Sequence, residues 1–106
     1  MIGYRVVRQC FERELEAILA IINDGAEAYR SVISPDRWKD PYMGADELHN
    51  EIASGISFSG VEREDALVGV MGTQPVADVI LIRHAYVRTA YQNQGVGGEL
   101  LRHLTD

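Results

Sequence analysis

Residues 78–87, DVILIRHAYV, constrain the fold more than any other stretch of the chain. Val79, Ile80, Leu81 and Ile82 put apolar side chains on both faces of an extended run, the pattern of a strand covered on both sides. The sequence therefore predicts a sheet with this strand in its middle. The strand leads through a short turn containing Gly95, Gly97 and Gly98 into a helix marked by Val96, Leu100, Leu101 and Leu104. An α/β (α+β) class is the expectation.

The upstream order supports that class. Tyr4, Val6 and their neighbours alternate as a short strand. From Phe11 the apolar spacing becomes that of an amphipathic helix through Leu15, Ile18, Leu19 and Ile22. Asn23-Asp24-Gly25 can end this helix or be passed over, because glycine weakens a helix interior without forbidding it; continuation through Ala26, Ala28 and Tyr29 is expected. Ser31 to Gly44 holds Pro35, Trp38, Pro41 and Tyr42 without a period, which predicts an ordered loop with aromatic anchors. Asp46 and Glu47 suit the first turn of a second helix, Leu48 and Ile52 lie four apart on it, and Gly55 stops it. Ile56 to Glu62 and Leu67 to Gln74, separated by the charged turn Arg63-Glu64-Asp65, predict an antiparallel hairpin, with Pro75 ending its second arm. The order is β-α-α-β-β-β-α, without repeats.

Composition narrows the partners. The chain has 106 residues, 46% hydrophobic and 25% charged, which fits one domain over 1–106. Ten basic against sixteen acidic residues give a net charge of -6 with no Lys/Arg cluster, so nucleic acid is not an expected partner. The single cysteine, Cys10, excludes an intrachain disulfide, and no Cys/His pair has metal-ligand spacing, so no metal is expected and a reducing cytoplasm is. The N-terminus mixes charged with apolar residues, which does not read as a signal peptide or a membrane span.

The chemistry lies in YVRTAYQNQGVGGELLRHL, where a strand turns into a helix across glycines. The first turn of a helix leaves N–H groups unpaired and carries partial positive charge, and glycines let a phosphate approach the backbone. No Lys-Ser/Thr follows the glycines, against a P-loop, and their spacing is not the G-x-G-x-x-G of dinucleotide folds. The run Gln92-Asn93-Gln94-Gly95-Val96-Gly97 matches (Q/R)xxGx(G/A) at every fixed position, with the strand ending Ala85-Tyr86-Val87 at the matching offset. By this motif, its flanking strand and helix, and the element order, the whole chain resembles the GNAT acetyltransferases.

The resemblance implies a mixed, mainly antiparallel sheet with helices on both faces, and acetyl-coenzyme A as the cofactor. Its pyrophosphate would lie on the turn of Gln92, Asn93, Gln94, Gly95, Val96, Gly97 and Gly98, cradled by the amides from Gln94 onward. Its pantetheine arm would pair with the strand edge at Ala85, Tyr86 and Val87. A bulge in this strand would splay it from a neighbour, and a backbone N–H near Val87 would polarise the thioester carbonyl. The implied reaction is direct attack by a primary amine of a small molecule on the acetyl group. Simple alternation places Leu81 and Arg83 in phase with Ala85 and His84 opposite. His84 is a candidate proton acceptor. Arg83 is a candidate grip on an acidic substrate group, or else an ion-pair partner. Tyr29, Trp38 and Tyr42, with Asp24 and Glu27, fall in the region that closes over substrate in the family; His49 and His103 read as solvated. GNAT domains continue past the third helix with a fifth strand, a fourth helix and two more strands. Residues 1–106 are therefore expected to be an incomplete domain with an open sheet edge, inviting a homodimer or other self-association. A non-catalytic coenzyme A-binding or interaction module, its sheet completed by a partner, is the alternative.

Overall fold

The structure, a computed structural model, describes residues 5–32, 34–36, 38 and 42–105, including the side chains of all of these except 5, 6, 29, 104 and 105. Tyr4 and Pro41 lie outside the described residues. Strand β1 (Arg5–Gln9) is followed by a 3-10 turn at Glu12–Glu14 and helix α1 (Leu15–Ala26), which tightens into another 3-10 turn at Glu27–Tyr29. Helix α2 (Ala45–Ala53) precedes β2 (Ser57–Arg63), β3 (Ala66–Val76) and β4 (Val79–Val87). A 3-10 turn at Thr89–Tyr91 then leads into α3 (Val96–Thr105). The expected order is present.

The strands form one antiparallel sheet in the order β1-β2-β3-β4. Alternation along the strands gives it two apolar faces. On one face Ile18, Ile21 and Ile22 of α1 and Leu48 of α2 pack with Met43 over Phe58, Leu67 and Val70. On the other, Val96 and Leu100 of α3 cover Val61, Val68 and Met71. Val61 and Val70 have no exposed surface, so the sheet's inner strands are sealed between helices. The β2–β3 turn is two residues, Glu64 and Asp65, both at positive φ, which is the I′ geometry that matches strand twist.

The helix passes straight through Asn23-Asp24-Gly25, because each of these residues serves a tertiary contact. Asn23 Nδ2 donates to Met43 O at 3.0 Å and Asn23 Oδ1 accepts from Met43 N–H at 2.8 Å, which fixes the segment entering α2. Asp24 accepts from Thr89, 65 residues away. Gly25 lies against β4, where an added Cβ would stand 2.9 Å from both Tyr86 Cβ and Val87 O.

Two expectations are corrected. Pro75 does not end β3, which runs to Val76 with Pro75 opposite Ile80. Pairing with β2 stops at Thr73, so a residue lacking an N–H removes nothing from the β2 ladder. The apolar run of β4 is not mid-sheet: β4 is the edge strand, with Val79 56% and Ile80 62% exposed. The outer part of the β3–β4 hairpin extends past the two helix-covered cores, so an apolar pattern meant for burial meets no cover among the described residues. The four described strands pair antiparallel, as the mainly antiparallel sheet expected from the sequence requires.

At the sheet's opposite edge, Arg8 joins β1 to its neighbours. Its guanidinium donates to Glu14 at 2.7 and 2.8 Å and to Glu62 at 2.8 and 3.0 Å. The hydrogen bond from Arg8 holds the Glu14 carboxyl at about 2, below its ordinary 4.5. A carboxyl depressed by folding contributes stability that is complete above its unfolded value and lost as pH falls through the folded one. The unfolding temperature is therefore expected to fall between pH 4.5 and 2 more steeply in the parent than in Glu14→Gln. Parallel melting curves across that window would show that the pair contributes nothing. Nearby, burial pushes the Cys10 thiol up to about 11, which keeps it protonated and unreactive at neutral pH.

Candidate functional site

The site is built where β4 turns into α3. Asp24 anchors the start of this connection, its Oδ2 accepting from Thr89 N–H at 2.8 Å and its Oδ1 from Thr89 Oγ1 at 3.2 Å. Gln92 Nε2 reaches back to Val87 O at 3.3 Å, so the first fixed residue of the motif ties the turn to the strand end. Gln94 Nε2 donates to Ala90 O at 3.3 Å. Asn93 (φ 65°) and Gly95 (φ 80°) both take the left-handed conformation that reverses the chain, which is what a glycine at position 95 is for.

Beyond Gly95 the helix ladder begins with Glu99 N–H donating to Gly95 O at 3.1 Å. The N–H groups of Val96, Gly97 and Gly98 therefore have no acceptor within the helix. A cavity of about 360 Å³ opens beside them, bounded by Gly95, Val96 and Gly97 on one side and by Ala85, Tyr86 and Val87 of β4 on the other. Positions where Gly95 and Gly97 would carry a Cβ meet nothing within 4 Å, so the amides are open to a ligand. No residue lining the cavity is charged. Anion attraction here falls to helix amides, the helix dipole and cations just outside.

The strand side is equally open. Arg88 N–H donates inward to Val68 O at 2.8 Å. Since successive N–H groups of an antiparallel strand point to opposite sides, the Val87 N–H points away from β3, into the free edge. The expected irregularity in β4 is present: Gly72 pairs with His84 and Thr73 with Ile82, leaving Arg83 as the extra residue of a bulge. That bulge changes which side chains share a side. Ala85 is in phase with Ile82, opposite Met71 and Thr73, and not with Leu81 as simple alternation predicts.

His84 falls on the α1–α2 face, opposite Ala85, as expected. Its Nε2 lies 2.8 Å from Glu51 Oε1 of α2, and its ring stacks on Phe58 at 6.3 Å and 11°. An ionised carboxylate only accepts, so Nε2 is the donor in this pair. Tyr86 shares this face, its hydroxyl donating to Tyr42 Oη at 3.4 Å, and Trp38 lies on Tyr42 with ring centroids 5.3 Å apart. Arg30 caps Trp38, Cζ standing 4.8 Å from the ring centre. The structure thus brings His84, Tyr86, Tyr42 and Trp38 to one side of β4. Arg83 is exposed at the bulge, and the Tyr29 side chain lies outside the described residues.

Sequence reading missed Glu51, Gly25, Met71 and Arg63 as contributors. Arg63 Nη1 donates to Gln94 Oε1 at 2.6 Å. Each of these contacts joins residues far apart in the chain, which periodicity does not register. Asp24 secures the turn through Thr89. Among the described residues no three His, Cys, Asp or Glu side chains gather as metal ligands, and no helix is long and apolar enough to cross a membrane.

Comparison with known proteins gives concordant results. The sequence model described as the Acetyltransferase (GNAT) family matches residues 15–106. No curated protein matches the chain by sequence. Among solved structures, the PaiA N-acetyltransferase of Thermoplasma acidophilum, in complex with coenzyme A, is similar with a TM-score of 0.78 at 20% identity; 96% of this chain and 70% of that one are covered. A GNAT family acetyltransferase of Brucella melitensis in complex with acetyl-CoA gives 0.73 at 15% identity, covering 97% and 67%. A ribosomal-protein alanine N-acetyltransferase of Escherichia coli gives 0.72 at 18% identity, covering 95% and 57%. The chain therefore spans 57 to 70% of the length of these structures, and shares their fold over nearly all of its own.

Proposed function

The chain belongs to the GNAT acetyltransferase family, and on that premise we propose that it binds acetyl-coenzyme A between β4 and α3 and passes the acetyl group to a primary amine of a small molecule. The observation that carries this reading is the open row of unpaired amides at Val96, Gly97 and Gly98, facing the free N–H edge of β4 across a cavity of about 360 Å³. Two structural relatives solved with coenzyme A or acetyl-CoA support the choice of cofactor.

The amides of Gln94 to Gly98 would cradle the pyrophosphate, with Gln92 and Asn93 holding the turn in shape. The backbone of Ala85 to Val87 would pair with the pantetheine arm as an added strand does, and the Val87 N–H would take the thioester carbonyl. When bound, the thioester supplies an acyl carbon already activated for attack. The chain's own work is positioning and proton transfer. As the N–C bond formed and the C–S bond broke, coenzyme A would leave as its thiolate, taking a proton from solvent, and the amine would shed one. His84 would accept the amine's proton at Nδ1, its Nε2 donating to Glu51. Tyr42 and Trp38 would enclose the acceptor on that face, and Arg83, beside His84 on the bulge, would grip an acidic substituent; Tyr29 is kept as a candidate for substrate contact from the sequence alone. We place the protein in the cytoplasm, where a single half-buried thiol stays reduced.

The test is release of free thiol from acetyl-CoA in the presence of a panel of primary amines, run beside calorimetric titration with coenzyme A. His84→Gln is expected to keep coenzyme affinity and to lower kcat by roughly 10²- to 10⁴-fold, the usual contribution of a general base. Full turnover in that variant would remove His84 from the reaction. Binding without thiol release in the parent would favour the other reading, a coenzyme-binding module. The exposed apolar run of β4 gives that reading its support, as a face for self-association with a second copy. Sedimentation velocity decides it: a dimer dispersed by Ile80→Lys supports pairing through β4, and a parent monomeric at all concentrations sinks it.

A further inference from the structure

We propose that Arg63, reaching from the end of β2, is a phosphate-binding residue for the coenzyme. The inference rests on the coenzyme reading of the cavity above. Arg63 Nη1 is engaged by Gln94, a residue of the phosphate turn, at 2.6 Å, and its guanidinium carbon lies 5.6 Å from the ring centre of Tyr91, which lines the cavity. Among the described residues its Nε and Nη2, shielded from solvent, have no acceptor. Hydrogen-bond donors of a cation left in this way are costly to a fold, so they point to a missing partner. Nε and Nη2 lie next to each other on one edge of the planar guanidinium, the edge that grips two oxygens of a phosphate at once.

Electrostatics give the same assignment. The residues lining the cavity carry no charge, and the chain as a whole carries -6, so its own field opposes a polyanion. Arg88, the nearest cation in sequence, spends its Nε on Leu67 O at 3.0 Å. Arg63 is tethered to the turn through Gln94, with two guanidinium donors that have no acceptor among the described residues.

The experiment is calorimetric titration of the parent, Arg63→Met and Arg63→Gln with coenzyme A and with 3′-dephospho-coenzyme A at two salt concentrations, with thermal unfolding in parallel. Both variants are expected to unfold near the parent temperature. They should bind coenzyme A about ten- to a hundredfold more weakly, as loss of a charged hydrogen-bond pair predicts. The salt dependence of binding should also be shallower than the parent's. A loss seen with coenzyme A but not with the dephospho form assigns Arg63 to the 3′-phosphate; a loss with both assigns it to the pyrophosphate; either carries the proposal. Affinity and salt dependence equal to the parent's overturn it, as does weaker binding with an unchanged salt slope, which would mark Arg63 as a mere prop for Gln94. A parent that binds neither ligand overturns the coenzyme reading itself, a separate outcome.

Discussion

Gly97→Glu is expected to weaken coenzyme A binding at least about a hundredfold while leaving the protein folded. A Cβ at position 97 meets nothing within 4 Å, so the side chain itself costs the fold nothing. Replacing a helical glycine gains up to about 1 kcal/mol of helix propensity, and an acid in the first turn suits the dipole, so the unfolding temperature should hold or rise. The new carboxylate, however, competes for the amides of Val96 to Gly98 and repels an approaching pyrophosphate. Charge-assisted hydrogen bonds contribute roughly 1.5–3 kcal/mol each, so loss of two of them exceeds the 2.7 kcal/mol that a hundredfold represents. Calorimetry and thermal melting of the same preparation separate the two effects. Unchanged binding would mean that the phosphate sits elsewhere; a lowered melting temperature would mean that Gly97 serves packing.

The second large effect is structural. Gly25→Val is expected to lower the unfolding temperature by about 10–20 °C, from about 2–3 kcal/mol of overpacking at 4–8 °C per kcal/mol for a domain near this size. The obstacle to a side chain at position 25 is partly backbone: Val87 O stands 2.9 Å from the Cβ position and is also held by Gln92. It cannot swing aside as a side chain could. Relief comes only by moving α1 off β4, which displaces the Val87 N–H as well. Coenzyme affinity should therefore fall along with stability, measurable by titration below the lowered transition. A melting temperature within about 3 °C of the parent's would show that α1 and β4 pack with slack that the 2.9 Å approach denies.

What the sequence made legible follows a physical rule. The turn of Gln92 to Gly98 could be read because its geometry leaves a local mark: the left-handed backbone at Gly95 calls for a glycine, and the adjoining helix leaves its apolar stripe. The helices, and the hairpin turn at Glu64-Asp65, were legible for the same local reason. Contacts bridging distant residues left no such mark. Glu51 with His84, Arg63 with Gln94 and Asp24 with Thr89 are single polar residues whose partners lie 33, 31 and 65 positions away. Asn23-Asp24-Gly25 is the clearest case. Locally it resembles a helix stop, and it is instead three successive tethers for α1. The error over β4 has another origin. Hydropathy reports that Val79 to Ile82 suit an apolar neighbour, and it cannot say whether that neighbour is within the described chain.

The bulge at Arg83 carries a consequence for how this stretch tolerates change in length. His84 stays opposite Gly72 and Ile82 opposite Thr73 whether or not a residue stands between them. Loss of the single codon for Arg83 would thus preserve every rung joining β3 to β4, and loss of Ile82 or His84 would let Arg83 take the vacated rung, whereas a strand without the bulge would have to slip against its neighbour. Position 83 is dispensable to the hydrogen-bonded ladder. The extra residue instead bends β4 at the approach to the Val87 N–H.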